Sequence, residues 1–180
     1  DWAGDVWQIQ HSSYTEPLHG EIKEVTYSWA DAATVEGRSS VINNLPVGYM
    51  EYYYFNGKVN AAGNYDSNGQ QDGRWKYYYS TGKLAGIENY DSGKLIKKDT
   101  AYWENGKLKS IDDYIDGFTH GNSYSYFSSG APETKMEYLN ENPHGEAIYY
   151  NEIGGLNYKV NYSEGNLEGD FIEYYPNQQI

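Results

Sequence analysis

The sequence predicts an all-β protein: an elongated single-sheet meander of repeated β-hairpins with a period of about 24 residues. Three observations predict it. Turn positions fall on one spacing, two columns of Tyr run unbroken through the units, and aromatic rings stand in for aliphatic bulk in the composition.

The spacing comes first. Gly57, Gly82, Gly106, Gly130, Gly154 and Gln178 are separated by 25, 24, 24, 24 and 24 residues. A fixed period of roughly 20 to 50 residues marks an architecture in which each unit buries its apolar side against its neighbours. Four residues before each of these positions stand Tyr53, Tyr78, Tyr102, Tyr126, Tyr150 and Tyr174. Eight residues after them stand Tyr65, Tyr90, Tyr114, Tyr138 and Tyr162. The 180 residues include 22 Tyr, 5 Trp and 4 Phe against only 38% hydrophobic residues, so burial has to come from amphipathic rings. A Tyr ring is covered while its hydroxyl still reaches water, which suits a thin, half-wet sheet.

In chain order, residues 1 to 47 follow the period poorly. They hold strand material in Val6-Gln10, Ile22-Trp29 and Ser39-Ile42, and His19-Gly20 reads as a degenerate unit entrance. This segment is expected to be an N-terminal cap of degenerate hairpins, since end units of repeat arrays protect an exposed edge. Residues 48 to 180 are expected to be one continuous domain of hairpins. Each unit opens at the minus-nine column, Gly48, Gly73, Lys97, Gly121, Gly145 and Gly169, with Lys97 the exception. Its first strand carries aromatic and β-branched runs such as Met50-Phe55 and Trp75-Tyr79. The links Asn56-Gly57, Thr81-Gly82, Asn105-Gly106 and Ser129-Gly130 then supply positive φ, with Asn-Gly the strongest hairpin signal.

The second strand is expected to start at Val59, Leu84, Leu108, Pro132, Leu156 and Ile180. Second turns follow at Asn68-Gly69, Ser92-Gly93, Asp116-Gly117 and Glu164-Gly165. Strand alternation places the minus-four Tyr on one face with Glu51, Lys76, Thr100, Tyr124, Ile148 and Ile172. The other face takes the minus-three residues Tyr54, Tyr79, Trp103, Phe127, Asn151 and Tyr175 and the minus-five residues Tyr52, Tyr77, Ala101, Ser125, Tyr149 and Glu173, and one face is expected to be the more enclosed.

Charge and composition narrow the function. A net charge of -13 and a pI near 4.6 argue against nucleic acid and against an anionic membrane surface. Lys94, Lys97 and Lys98 form the one basic cluster and read as solvated surface. There is no Cys, hence no disulfide framework or thiolate metal site, and no apolar run approaches the roughly 18 residues of a membrane span. The first residue is Asp1, as expected of a chain whose leader has been removed or whose ends were trimmed.

No nucleophile elbow, phosphate loop or His-Glu-x-x-His helix occurs, so the expectation is a non-catalytic chain with no cofactor and no metal. The four His are His11, His19, His120 and His144, and three of them stand in His-Gly pairs, which assigns the imidazole to a hydrogen bond with a neighbouring turn. Asp112, Asp113 and Asp116, and likewise Asp66, Asn68 and Asp72, read as turn formers and lack calcium-loop spacing. The remaining candidate for binding is aromatic: Trp75, Tyr79, Trp103 and Phe127 as a platform for a sugar ring or a protein, against the alternative that they simply pack the ladder.

The segments Asp116-Gly117-Phe118-Thr119-His120-Gly121 and Asn142-Pro143-His144-Gly145, and above all Trp103-Glu104-Asn105-Gly106-Lys107-Leu108, resemble the bacterial MORN-repeat variant, including proteins described as YwqK-like antitoxins. Phe55-Asn56-Gly57-Lys58-Val59 and Tyr79-Ser80-Thr81-Gly82-Lys83-Leu84 carry the same ending. The resemblance covers residues 48 to 180, and Asp91 to Asp99 depart from it most. It implies a repeat protein that presents a β-sheet surface to a protein or glycan partner in a bacterial secreted, periplasmic or envelope setting. Two alternatives are a cytoplasmic antitoxin-like or scaffold protein and a carbohydrate-binding accessory module of an enzyme.

Overall fold

The computed structural model describes residues 20–28, 34–43 and 45–175, and every regular element among them is a strand. The chain divides into two compact units, Asp1–Lys94 and Leu95–Ile180. In the first, β1 (Gly20–Ser28), β2 (Thr34–Ile42), β3 (Leu45–Tyr53), β4 (Val59–Tyr65), β5 (Gln71–Tyr78) and β6 (Leu84–Asp91) pair antiparallel in chain order. A two-residue strand, β7 (Lys94–Leu95), lies at the division. In the second, β8 (Lys97–Tyr102), β9 (Leu108–Ile115), β10 (Phe118–Tyr126), β11 (Pro132–Leu139), β12 (Asn142–Tyr150), β13 (Leu156–Ser163) and β14 (Asn166–Glu173) do the same. Each unit is thus the antiparallel meander that the period predicts.

The division falls within Asp91 to Asp99, the stretch that departs most from the repeat motif. Strand β1 takes up Ile22 to Ser28 and β2 takes up Ser39 to Ile42, both expected as strand material. Val6-Gln10, His11, His19 and Trp29, and at the far end Gln178 and Ile180, lie outside the described residues. Second strands begin at Val59, Leu84, Leu108, Pro132 and Leu156, as expected. Pro132 is tolerated because it is the first residue of its strand, where the missing N–H takes nothing from the ladder.

The two turn types differ in a way the sequence reading did not separate. At the first turn the Tyr54 N–H donates to the Lys58 carbonyl (2.7 Å) and the Gly57 N–H to the Tyr54 carbonyl (2.8 Å). Of the pair Asn56-Gly57 only Gly57 has positive φ. This is a three-residue loop closed by a left-handed residue, not a two-residue Asn-Gly turn. The same bonds recur around Gly82, Gly106, Gly130 and Gly154. Asn68-Gly69 belongs to this class too, since Asp66 and Gln70 close it and only Gly69 is left-handed. Both residues are left-handed in Ser92-Gly93, Asp116-Gly117, Asn140-Glu141 and Glu164-Gly165, which makes these the two-residue turns whose twist matches the flanking strands.

The minus-nine column marks a bulge. Gly73, Arg74 and Trp75 together face the single residue Gly63, because Ala62 pairs with Lys76 and Asn64 with Asp72. A three-against-one interruption recurs at the start of β3, β10, β12 and β14. Gly48, Gly73, Gly121, Gly145 and Gly169 hold φ between 69 and 106° there, and Lys97 holds 63° without being Gly. The bulge bends the strand and re-aims the residue two places on, at minus seven. That residue pairs with the plus-six residue of its own hairpin: Met50 with Gly63, Trp75 with Glu88, Asp99 with Asp112, Ser123 with Met136 and Ala147 with Val160. Met50, Trp75, Ala147 and Val160, four of the six buried hydrophobic residues among those described, stand on this line, so the core is a row and not a layer.

Left-handed φ costs a side-chain-bearing residue about 1 to 2 kcal/mol. Lys97→Gly removes that cost, partly offset by the greater freedom of Gly in the unfolded chain, and is expected to raise stability by about 0.5 kcal/mol. Gly121→Ala is expected to lower it by about 1 to 2 kcal/mol, since its Cβ would also stand 3.2 Å from the Asp113 Cβ. Urea unfolding of both variants checks the opposite signs.

Candidate functional site

In the first unit the bulge delivers Trp75 onto Gly63. A Cβ built on Gly63 would lie 2.3 Å from the indole, so only a bare backbone leaves room for the ring. Three phenols surround it. Tyr65 meets the indole edge-on with centroids 5.0 Å apart, and Tyr52 and Tyr77 lie at 6.2 and 6.3 Å with planes tilted by 31° and 28°. The indole N–H donates to the Asn64 carbonyl at 2.9 Å. Trp75 is 1% exposed. The expected surface platform therefore loses Trp75, because a fully enclosed ring has no face left for a ligand.

The other three platform residues sit in first turns, half-buried: Tyr79 in the first unit, Trp103 and Phe127 in the second. Their column staples one hairpin to the next. The Tyr54 hydroxyl donates to the Tyr78 carbonyl at 2.6 Å, and the Trp103 indole N–H donates to the Tyr126 carbonyl at 2.8 Å. Lys109 holds its ammonium 5.0 Å from the centre of the Trp103 ring. The Asn-Gly-Lys signature serves the same end. Asn56 Oδ1 accepts from the Lys58 N–H at 3.1 Å, while its Nδ2 donates to Ser80 at 2.8 Å and Lys58 Nζ to Thr81 at 2.7 Å. Asn105 and Lys107 repeat the pattern: the Lys107 N–H donates to Asn105 Oδ1, Asn105 Nδ2 to the Ser128 carbonyl and Lys107 Nζ to the Ser129 carbonyl.

The two Tyr columns play different parts. Plus-eight phenols meet minus-five phenols across the hairpin: the Tyr52 and Tyr65 hydroxyls are 2.8 Å apart, and those of Tyr77 and Tyr90 are 3.5 Å apart. At Ala101 and Ser125 the minus-five phenol is missing, and Ser125 bonds Glu133 and Thr134 instead. Minus-four phenols take the opposite face, as expected, with Tyr53 bonded to Glu51. In the second unit a stack joins the minus-five, plus-four and minus-seven positions. Tyr149 lies 4.3 Å from Tyr158 with planes 19° apart, and Tyr158 lies 5.2 Å from Phe171 at 24°. Phe171, at the end of this stack, is 61% exposed.

The polar candidates resolve into turn and bulge chemistry. His120 Nδ1 lies 3.0 Å from Asn140 Oδ1, the imidazole-to-turn bond expected of it, and His144 is exposed. Asp66 Oδ1 accepts from the backbone of Asn68 and Gln70. Asp113, opposite a bulge, accepts from the Asn122 N–H at 3.2 Å and pairs with Lys98 at 2.7 Å. Asp112 accepts from Ser123 Oγ at 2.5 Å. Among the described residues no group of three or more His, Asp or Glu is placed to hold a metal ion.

Enclosure raises several phenol pKa values. Burial lifts Tyr77 most, with the Glu88 carboxylate beside it adding to the effect. Burial also lifts Tyr149, helped by Tyr162, and Tyr138, helped by Asp112; it lifts Tyr65, against a small opposing pull from Tyr52.

Two stability tests follow from this geometry. Gly63→Ala is expected to cost about 2 to 3 kcal/mol by overpacking, with loss of the near-ultraviolet signal of Trp75. The raised phenols hold their protons more tightly folded than unfolded, so their contribution is complete below pH 10.0 and is lost as pH climbs from there toward the folded values. At pH 11, tyrosinate absorbance is expected to be markedly lower in the folded chain than in urea.

A family model described as the MORN repeat variant matches residues 46–67, 71–92 and 100–116. No curated protein matches the chain in sequence. Among solved structures the chain is similar to part of one described as "Crystal structure of GtfA/B complex bound to UDP and GlcNAc", at 14% identity and a TM-score of 0.29. That likeness covers 86% of this chain and 28% of the other, and it carries no argument about function.

Proposed function

We propose that this chain, a MORN-repeat protein, is a non-catalytic scaffold whose sheet binds a protein partner. The observation that carries the reading is the set of large apolar side chains left uncovered in the second unit. Phe118 is 49% exposed beside its cross-strand partner Ile115, and Leu139, Leu167 and Phe171 are exposed as well. Exposed aromatic and aliphatic side chains of this kind are a mark of protein-binding surface.

The competing glycan reading needs stacked rings with free faces. Trp75 offers none, and Trp103 has given its N–H to a backbone carbonyl and one face to Lys109. The proposed setting outside the bacterial cytoplasm, secreted or in the envelope, rests on where the resembled repeats occur. Recovery of the native chain in the cytoplasm would favour the antitoxin-like or scaffold alternative.

A photo-cross-linking residue placed singly at Phe118, Leu139 or Phe171 in the native host tests the function. A discrete protein adduct is expected from at least one of the three and none from Asn68, an exposed turn residue of the first unit. Absence of any adduct would overturn the reading. Glycan-array binding lost on Trp103→Ala, with the fold intact, would transfer the function to a carbohydrate module.

A further inference from the structure

We propose that Asn68 is a site of covalent modification, at which the folded chain converts Asn to Asp and isoAsp through a cyclic imide, while Asn56 and Asn105, in the same residue pair and the same turn, are protected. The proposal stands apart from the binding reading above.

The chain holds three Asn-Gly pairs, Asn56-Gly57, Asn68-Gly69 and Asn105-Gly106. In such a pair the amide nitrogen that follows Asn has no Cβ beside it and is open to the Asn side chain. All three pairs occupy the same place in a three-residue loop closed by a left-handed Gly, and all three Asn are exposed. Residue pair, backbone and solvent access are therefore alike. Side-chain bonding separates them.

At Asn56 the nitrogen that would leave, Nδ2, donates to the Ser80 carbonyl at 2.8 Å, and Oδ1 accepts from the Lys58 N–H at 3.1 Å. Asn105 holds the same two bonds, to Ser128 at 2.7 Å and from Lys107 at 3.0 Å. Among the described residues the Asn68 side chain makes neither. The reason is Asp66. In turns whose first residue is aromatic (Tyr54, Trp103 and Phe127), the N–H of the fifth residue goes to the third side chain, that of Asn56, Asn105 or Ser129. Where the first residue carries its own acceptor, Asp66 or Asn151, that oxygen takes the N–H of the fifth residue, Gln70 or Gly155, at 2.9 Å in each case. Asp66 thus displaces Asn68 from the turn and leaves its amide able to swing toward the backbone. The Gly69 N–H is also held less closely, 3.1 Å from the Asp66 carbonyl against 2.8 Å at Gly57 and Gly106.

The chemistry needs only water. The Gly69 nitrogen gives its proton to solvent base and attacks Asn68 Cγ. The new N–Cγ bond closes the imide as the Cγ–Nδ2 bond breaks, and Nδ2 leaves with a proton as ammonia. Water then adds to one of the two imide carbonyls. Cleavage of the N–Cγ bond restores the main chain with Asp, whereas cleavage at the main-chain carbonyl carries the chain through Cβ and Cγ as isoAsp. Either product adds a carboxylate to a chain already at a net charge of -13, and isoAsp presents an α-carboxylate open to enzymatic methyl transfer.

The 180-residue chain, folded or in urea, is incubated at mildly alkaline pH and its peptides are mapped by mass for exchange of NH2 for OH. Methyl transfer from S-adenosylmethionine by a protein isoaspartyl methyltransferase is the second readout. In the folded chain Asn68 is expected to react about tenfold faster than Asn56 or Asn105, each of which has two side-chain bonds to break. In urea the three rates are expected to converge. Asn68→Gln is expected to remove most of the methyl-accepting product of the folded chain. Asp66→Ala is expected to slow Asn68, which then takes the Gln70 N–H as Asn56 takes that of Lys58, and Asp66→Asn, which keeps the acceptor, to leave the rate as in the parent.

Asn56 or Asn105 reacting as fast as Asn68 in the folded chain overturns the proposal. So does an order of rates that persists in urea, which traces it to neighbouring residues and not to the fold. An unchanged rate in Asp66→Ala with its near-ultraviolet signal retained, or equal slowing in Asp66→Asn, overturns the part given to Asp66.

Discussion

The structure depends on hydrogen bonds that join turns one repeat apart. At the second turns the N–H groups of Gly93, Gly117, Glu141 and Gly165 donate to the carbonyls of Gln71, Leu95, Thr119 and Pro143, in each case 22 residues earlier. At the first turns Asn56 and Asn105 reach forward 24 and 23 residues. These bonds make the period a physical requirement. A backbone group in a turn finds its protein partner only when the neighbouring turn arrives at the right place, and each such bond contributes about 0.5 to 1.5 kcal/mol.

With the turns tied in this way, the bulge can build a core in a sheet that has no second layer to pack against. Three residues facing one bend each first strand and lay its minus-seven side chain across the plus-six positions on either side. Volume is then shared along the row: the largest ring, Trp75, lies over the residue with no side chain, Gly63, and Ala147 sits between Met136 and Val160. Where the row turns polar, Ser123 and Asp112 satisfy each other. At β14, which pairs with β13 alone among the described strands, Phe171 is exposed.

Much of this was legible in the residues themselves. Identical side chains recurred at identical intervals wherever the role was to close a turn or stack a phenol, so Gly57, Tyr53 and Tyr65 and their equivalents announced the strands and their limits. The core row stayed hidden for the opposite reason. Its members, Met50, Trp75, Asp99, Ser123, Ala147 and Phe171, share no chemical type, so no column of like residues marks the row. By its ring Trp75 reads as a platform residue beside Tyr79, Trp103 and Phe127, whereas its position two places after the left-handed Gly73 sets it in the core. Lys97 shows the converse, since it holds the left-handed φ that Gly holds at this position in the other repeats. The turn class was obscured as well: Asn-Gly suggests a two-residue turn, whereas Asn56 uses its amide to hold the loop and the neighbouring repeat.

A scaffold of this kind suits the binding role proposed for it, since each unit fixes its neighbours and leaves side chains on the surface free to vary. The central claim is that a hydrogen-bonded 24-residue register, and not hydrophobic burial alone, holds the repeats in place. The most direct measurement compares two excisions from the second unit: residues 107–130, one full repeat, and residues 107–129, one residue fewer. The first is expected to fold with native-like near-ultraviolet signal and a cooperative urea transition, and the second to lose both because the staples that span the cut miss their partners. Equal behaviour of the two chains would contradict it.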